Sequence, residues 1–159
     1  MDELNYNYIT FSRKPIPVPP EYRPLYKIAQ IVLALKLSCK KHKASLLQLH
    51  LFSWALKNQE NSDSVLAHVR NPQEIPIDVW NLEPAINRAL YFAVAEKLIE
   101  IALPKGDYLL TEKGHTFANL LLNDNSVLKS EKYFFALVKS SITNTLVENI
   151  AKKWNNNNA

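Results

Sequence analysis

The sequence predicts a mainly α-helical fold with one small β-hairpin, a long C-terminal helix and an extended, proline-rich N-terminal arm. Three observations predict it. Apolar residues recur at helical spacing over most of the chain from Pro24 to Trp154. Two short alternating runs flank the turn Pro104-Lys105-Gly106-Asp107. Five prolines, at 15, 17, 19, 20 and 24, keep the start of the chain out of helix, because proline fixes φ and biases the preceding residue toward extended backbone. The predicted organisation is an arm over 1–24, one domain over 25–125, a C-terminal helix over 126–154 packed on that domain or on a partner, and a polar tail over 155–159. At 159 residues, 47% hydrophobic and 21% charged, the chain has the size and composition to build a single core.

Each element has a local reason. In the arm, Tyr6, Tyr8, Ile9 and Phe11 alternate as a short strand does, and the prolines that follow favour polyproline-like backbone. Such an arm either packs on its own domain or docks on a partner. From Pro24, the residues Leu25, Ile28, Ala29, Ile31, Val32, Leu35 and Leu37 are apolar on nearly every side, the mark of a central helix. Lys40-Lys41-His42-Lys43 closes it. A second helix is predicted from about Ala44 to Asn58 and ends in the polar run Lys57 to Ser64. A short helical piece, Ser64 to Arg70, and an edge strand around Ile75, Ile77 and Val79 lead to a third main helix. That helix starts at Asn81-Leu82-Glu83-Pro84, with Pro84 in the first turn, and runs to about Ile99. The hairpin follows, pairing Ile99-Glu100-Ile101-Ala102-Leu103 with Tyr108-Leu109-Leu110-Thr111. Thr111 caps the next helix, Gly114 permits close packing, and Phe117, Leu120 and Leu121 face the core. The last helix is predicted as one piece from Val127 to Trp154, with Phe134, Val138, Ile142, Leu146, Ile150 and Trp154 at four-residue steps, a stripe that something must cover.

Composition removes several kinds of chemistry. Two glycines, Gly106 and Gly114, are too few for a phosphate-cradling or dinucleotide loop. One cysteine, Cys39, supplies neither a disulfide nor a Cys-x-x-Cys pair, and a buried inert thiol is the expected role for it. The four histidines, at 42, 50, 68 and 115, lack metal-ligand spacing, and His50 reads as a hydrogen-bonded core residue. Carboxylates are scattered rather than paired among aromatics. No catalytic residue, cofactor site or metal site is therefore expected. An acidic start, Met1-Asp2-Glu3-Leu4, with no apolar run behind it suggests a cytoplasmic protein, and the most apolar stretch, Leu25 to Leu37, is shorter than the ~20 residues a bilayer demands.

Net charge is +4, which favours a polyanionic partner only weakly. Lys40, Lys41 and Lys43 form the one dense basic cluster; they are either a solvated loop or a contact to a phosphate backbone. A DNA-reading third helix needs several polar or basic side chains. Between Pro84 and Ile99 only Asn87, Arg88 and Lys97 qualify, Glu96 opposes them, and Ala89 to Ala95 is nearly continuous apolar sequence. At the hairpin, Lys105 is expected to be offset by Asp107. Protein contact is thus the better expectation, with Tyr6, Tyr8, Phe11 and Arg13 of the arm, Lys105 of the hairpin, and Phe134 and Trp154 of the last helix as contact candidates. Lys40, Lys41, Lys43 and Arg88 are the candidates for nucleic acid.

The succession of Ala93-Val94-Ala95-Glu96-Lys97-Leu98-Ile99-Glu100-Ile101 and then Leu110-Thr111-Glu112-Lys113-Gly114 resembles that of winged-helix domains over about residues 25–122. Together with Arg23-Pro24-Leu25-Tyr26-Lys27-Ile28-Ala29-Gln30-Ile31-Val32-Leu33 and Ser45-Leu46-Leu47-Gln48-Leu49-His50-Leu51-Phe52-Ser53-Trp54-Ala55-Leu56, it looks like the middle components of bacterial ABC-three-component, Lamassu-type anti-phage systems. The resemblance implies a non-catalytic accessory subunit that bridges an SMC-like ABC ATPase and a nuclease-type effector in a DNA-sensing complex, with indirect or weak DNA contact and no membrane. The alternative is a free-standing transcription regulator that binds DNA as a homodimer paired through the long C-terminal helix.

Overall fold

A computed structural model describes residues 23–73, 77 and 83–157. Among them are seven α-helices and three short strands: α1 (Pro24–Ser38), β1 (Lys43–Ala44), α2 (Leu46–Ala55), α3 (Gln59–Arg70), α4 (Pro84–Ala95), β2 (Ile99–Ala102), β3 (Asp107–Leu110), α5 (Glu112–Asn123), α6 (Lys129–Val138) and α7 (Asn144–Asn157). The strands form an antiparallel sheet in the order β1-β3-β2, with Ile99 opposite Leu110 and Ala44 opposite Tyr108. Candidate arm residues Tyr6, Tyr8, Phe11 and Arg13 lie outside the described residues, and of the expected edge strand only Ile77 is described, as a buried residue.

Helix α1 is the hub, as its sequence predicts. Every residue from Lys27 to Leu35 is buried, and α2, α4, α5 and α6 all pack against it. The hairpin also forms where predicted, turning at Gly106, whose φ of 77° suits glycine. Thr111 caps α5 by accepting a hydrogen bond from the Gly114 amide.

Other elements differ from expectation. Ala44 belongs to a strand, because Ser45 begins α2 with a capping box: its hydroxyl accepts from the Gln48 amide, and the Gln48 side chain accepts from the Ser45 amide. Helix α3 starts at Gln59 rather than Ser64, since Asn58 caps it through the Asn61 amide. Helix α4 stops at Ala95 rather than near Ile99. Lys97 takes the left-handed conformation at φ 58°, with Lys97 N donating to Val94 O and Leu98 N to Ala93 O, a Schellman closure without glycine. Leu120 is 64% exposed instead of core-facing, because Gly114, Ala118 and Leu121 occupy the buried side of α5.

The long C-terminal helix is two helices. Lys139, at φ 48° and ψ −132°, ends α6, and the Thr143 hydroxyl accepts from the Leu146 amide at the start of α7. Within the break, Ile142 is buried and its carbonyl accepts from the Gln48 side chain at 3.0 Å. The break shifts the helical phase, so Val147 takes the buried place expected of Leu146, and Phe134, Val138, Ile142, Val147 and Ile150 are all covered by the chain itself. Helix α6 covers α1 and α3, and α7 covers α2.

Candidate functional site

Helix α4 has two faces with different duties. Ile86, Ala89, Leu90 and Ala93, at helical spacing, are buried against the hub. The other face carries Asn87, Arg88, Tyr91, Phe92 and Ala95. Tyr91 is 73% and Phe92 42% exposed, with their rings edge to face at 5.9 Å. The hairpin that follows adds Ile101 at 50% and Leu103 at 86% exposure. An aromatic pair on α4 and two aliphatic side chains on the hairpin are thus exposed, while Ile86, Ala89, Leu90 and Ala93 of α4 and Ile99 and Leu110 of the hairpin are buried.

The locks are polar as well as apolar. Glu83, immediately before α4, accepts hydrogen bonds from Lys27 Nζ at 3.2 Å and Ser53 Oγ at 3.0 Å, and pairs with Lys57 at 3.6 Å. Burial raises the affinity of Glu83 for a proton, but Lys27, Ser53 and Lys57 outweigh it and hold the carboxyl below its ordinary range. At the other end, the Thr111 hydroxyl donates to the Lys97 and Leu98 carbonyls, at 2.6 and 3.0 Å, fixing the turn between α4 and the hairpin to the start of α5.

Cys39, His50 and Glu131, elsewhere in the fold, are buried in structural roles. Cys39 is buried, which pushes its thiol up to about 12 and keeps it protonated and unreactive. His50 is buried, as expected, with Nε2 donating to Asn87 Oδ1 at 3.2 Å; burial pulls its pKa down against the smaller opposing effects of Asn87 and Glu83. The buried carboxylate of Glu131 accepts from Tyr26, from Gln30 at 3.2 Å and from Ser130 at 3.0 Å. Among the described residues no group of three or more His, Cys, Asp or Glu is arranged to hold a metal ion, and no helix is long and apolar enough to cross a membrane.

The contact and nucleic-acid candidates fall in different places. Lys105 is exposed at the hairpin turn. Its expected partner, Asp107, pairs instead with Lys43 at 3.5 Å, because β1 runs beside β3. Phe134 is 3% exposed and packs edge to face on Phe135, so it serves this chain's own core and is withdrawn as a contact residue. Trp154 is 41% exposed on the last turns of α7. Arg88 is exposed on α4, while Lys40 and Lys41 stand exposed in the 3-10 turn after α1. The residues missed from sequence are Tyr91, Phe92, Ile101 and Leu103. Their signal was phase: once Ile86, Ala89, Leu90 and Ala93 claim the buried side of α4, Tyr91 falls off it.

A second surface lies between α3 and α6, an open cleft of about 660 Å³ lined by Leu66, Tyr133 and Leu137 with Tyr26 and Glu131 at its edge. Comparison with protein-family models, with curated proteins and with solved structures finds no match to this chain.

Proposed function

We propose that this chain is a non-catalytic winged-helix subunit that acts by protein contact, joining an SMC-like ABC ATPase to a nuclease-type effector in an anti-phage assembly. The observation that carries the protein-contact reading is the composition of the α4–hairpin face. It offers Tyr91, Phe92, Ile101 and Leu103 where a base-reading helix offers donors and cations, and Asn87, one of its few polar side chains, is engaged by His50. Exposed aromatics on rigid elements are the usual anchors of protein interfaces.

The winged-helix reading is supported by the β1-β3-β2 strand order with helices between β1 and β2, α3 being an added helix in that succession. The choice of partner is supported by the resemblance of the Arg23–Leu33, Ser45–Leu56 and hairpin segments to ABC-three-component middle subunits. The homodimeric regulator has less support, since the stripe meant to pair two copies is spent on the chain's own core.

Coexpression with the genes neighbouring its own tests the proposal. The tagged chain is expected to retain an SMC-like ATPase through size exclusion, and Tyr91→Ser with Leu103→Ser is expected to release it without altering the far-UV spectrum. A chain that elutes alone, or a double variant that still holds the ATPase at wild-type level, overturns it.

A further inference from the structure

We propose that the turn closing α1, with the adjoining start of α5, is a phosphate-binding site that engages the backbone of a nucleic acid through Lys36, Lys40, Lys41, His42 and His115. The structure gathers these residues from two distant stretches of sequence. Lys36 Nζ donates to His115 Nδ1 at 3.1 Å. The His42 and His115 rings meet edge to face, with centroids 4.7 Å apart and planes at 85°. His42 Nδ1 donates to the Leu35 carbonyl at 3.2 Å, which fixes that ring to the end of α1. Lys41 and His42 both take positive φ, at 56° and 54°.

The charges here are poorly compensated. Lys36, Lys40 and Lys41 make no ion pair among the described residues, whereas Lys43, two positions after Lys41, is drawn off by Asp107. Among the described residues Glu112 is the one carboxylate acting on His115, against Lys36 and His42. Burial, then the coulombic effects of Lys36 and His42, lower the His115 pKa against the smaller opposing effect of Glu112. A phosphate seated among these groups opposes the effect of the neighbouring positive charge and favours the imidazolium, so binding is expected to take up a proton. Cations spread along an exposed turn and a helix end match the repeating charge of a polyanion better than one enclosed phosphate. The site shares no residue with the α4–hairpin face.

Fluorescence anisotropy with a short labelled DNA duplex, titrated across sodium chloride at about pH 6 and about pH 8, tests this on the full chain. Wild type is expected to bind at low salt, more tightly at the lower pH. Lys40→Gln with Lys41→Gln is expected to weaken binding about tenfold or more and to reduce the salt slope by about one for each phosphate left without its lysine. Lys36→Gln is expected to weaken binding as well, and His115→Gln to bind at the higher pH while losing most of the tightening at the lower. Tyr91→Ser with Leu103→Ser should bind duplex as wild type does, which keeps this test apart from that of the protein-contact face. Lack of duplex binding at low salt, salt slopes unchanged in the lysine variants, or binding of inorganic phosphate without binding of duplex each overturns the proposal.

Discussion

At the scale of single residues, the buried polar groups carry the sharpest consequences. Lys27 is an ammonium almost wholly removed from water, tolerated because Glu83 and Ser53 satisfy it. Glu83→Gln leaves that ammonium without its counter-charge and is expected to cost about 3 kcal/mol in denaturant unfolding. Lys27→Met combined with Glu83→Gln should recover most of the loss, and strict additivity of the two single effects would refute the coupling. His50 sets a pH dependence. Its folded pKa lies below the ordinary value near 6.5, so the unfolded chain takes up the proton first. Stability is therefore expected to hold above about pH 6.5 and to fall as pH drops from there toward the folded pKa, and His50→Asn should flatten that fall in denaturation midpoints measured on both sides. His115 contributes with the same sign, so the comparison is between variant and wild type at each pH. The burial of His50 was legible in the sequence from its apolar neighbours, and that of Cys39 from the usual place of a lone thiol. Their partners were not, because Asn87 lies 37 positions from His50 and no periodicity links them.

At the scale of elements, boundaries were legible where the usual cap residue stands at the end and illegible where another residue does the work. Thr111 announces α5, and Pro84 announces α4. Ser45 with Gln48, Asn58 and Thr143 are equally good caps, yet each sits inside a run whose hydrophobic pattern continues across it or is too polar to suggest a helix. Lys97 and Lys139 end α4 and α6 in left-handed or irregular backbone, a task that sequence reading assigns to glycine. The face of α4 that became the candidate site was readable in part: its poverty in cations was plain, but which of its apolar residues were surplus to the core required knowing the phase of burial. Gly114 shows the converse case of a glycine required by space. A Cβ there would run into the Leu98 carbonyl and come within 2.6 Å of Leu110 Cδ1, just where α5 crosses the hairpin. Gly114→Ala is expected to destabilise by about 2–3 kcal/mol in thermal or urea unfolding, and a variant as stable as wild type would mean that this crossing has slack.

At the scale of the molecule, the broad class, helices about a small antiparallel sheet, followed from periodicity and the Pro/Gly turn alone. The arrangement of the last thirty or so residues did not, since a stripe at four-residue steps is equally compatible with one straight helix and with two helices folded back on their own core. Because α7 and the linker before it bury Ile142, Val147 and Ile150, with α7 covering α2, they complete the domain rather than extend from it. Deletion of residues 139–159 is accordingly expected to abolish the single cooperative unfolding transition and to raise binding of a hydrophobic dye; a truncated chain that melts as sharply as wild type would contradict that arrangement. The enclosure of α1 also has a consequence for biosynthesis. Its Gln30 bonds to Glu131, 101 positions later, so during translation at about 5–20 residues per second the first helix waits roughly 5–20 s for the segment that closes its last side. Through that interval one side of the chain's most apolar segment stays uncovered. The demand for shielding by the ribosome surface or a holdase chaperone is thus written into the order in which the helices emerge.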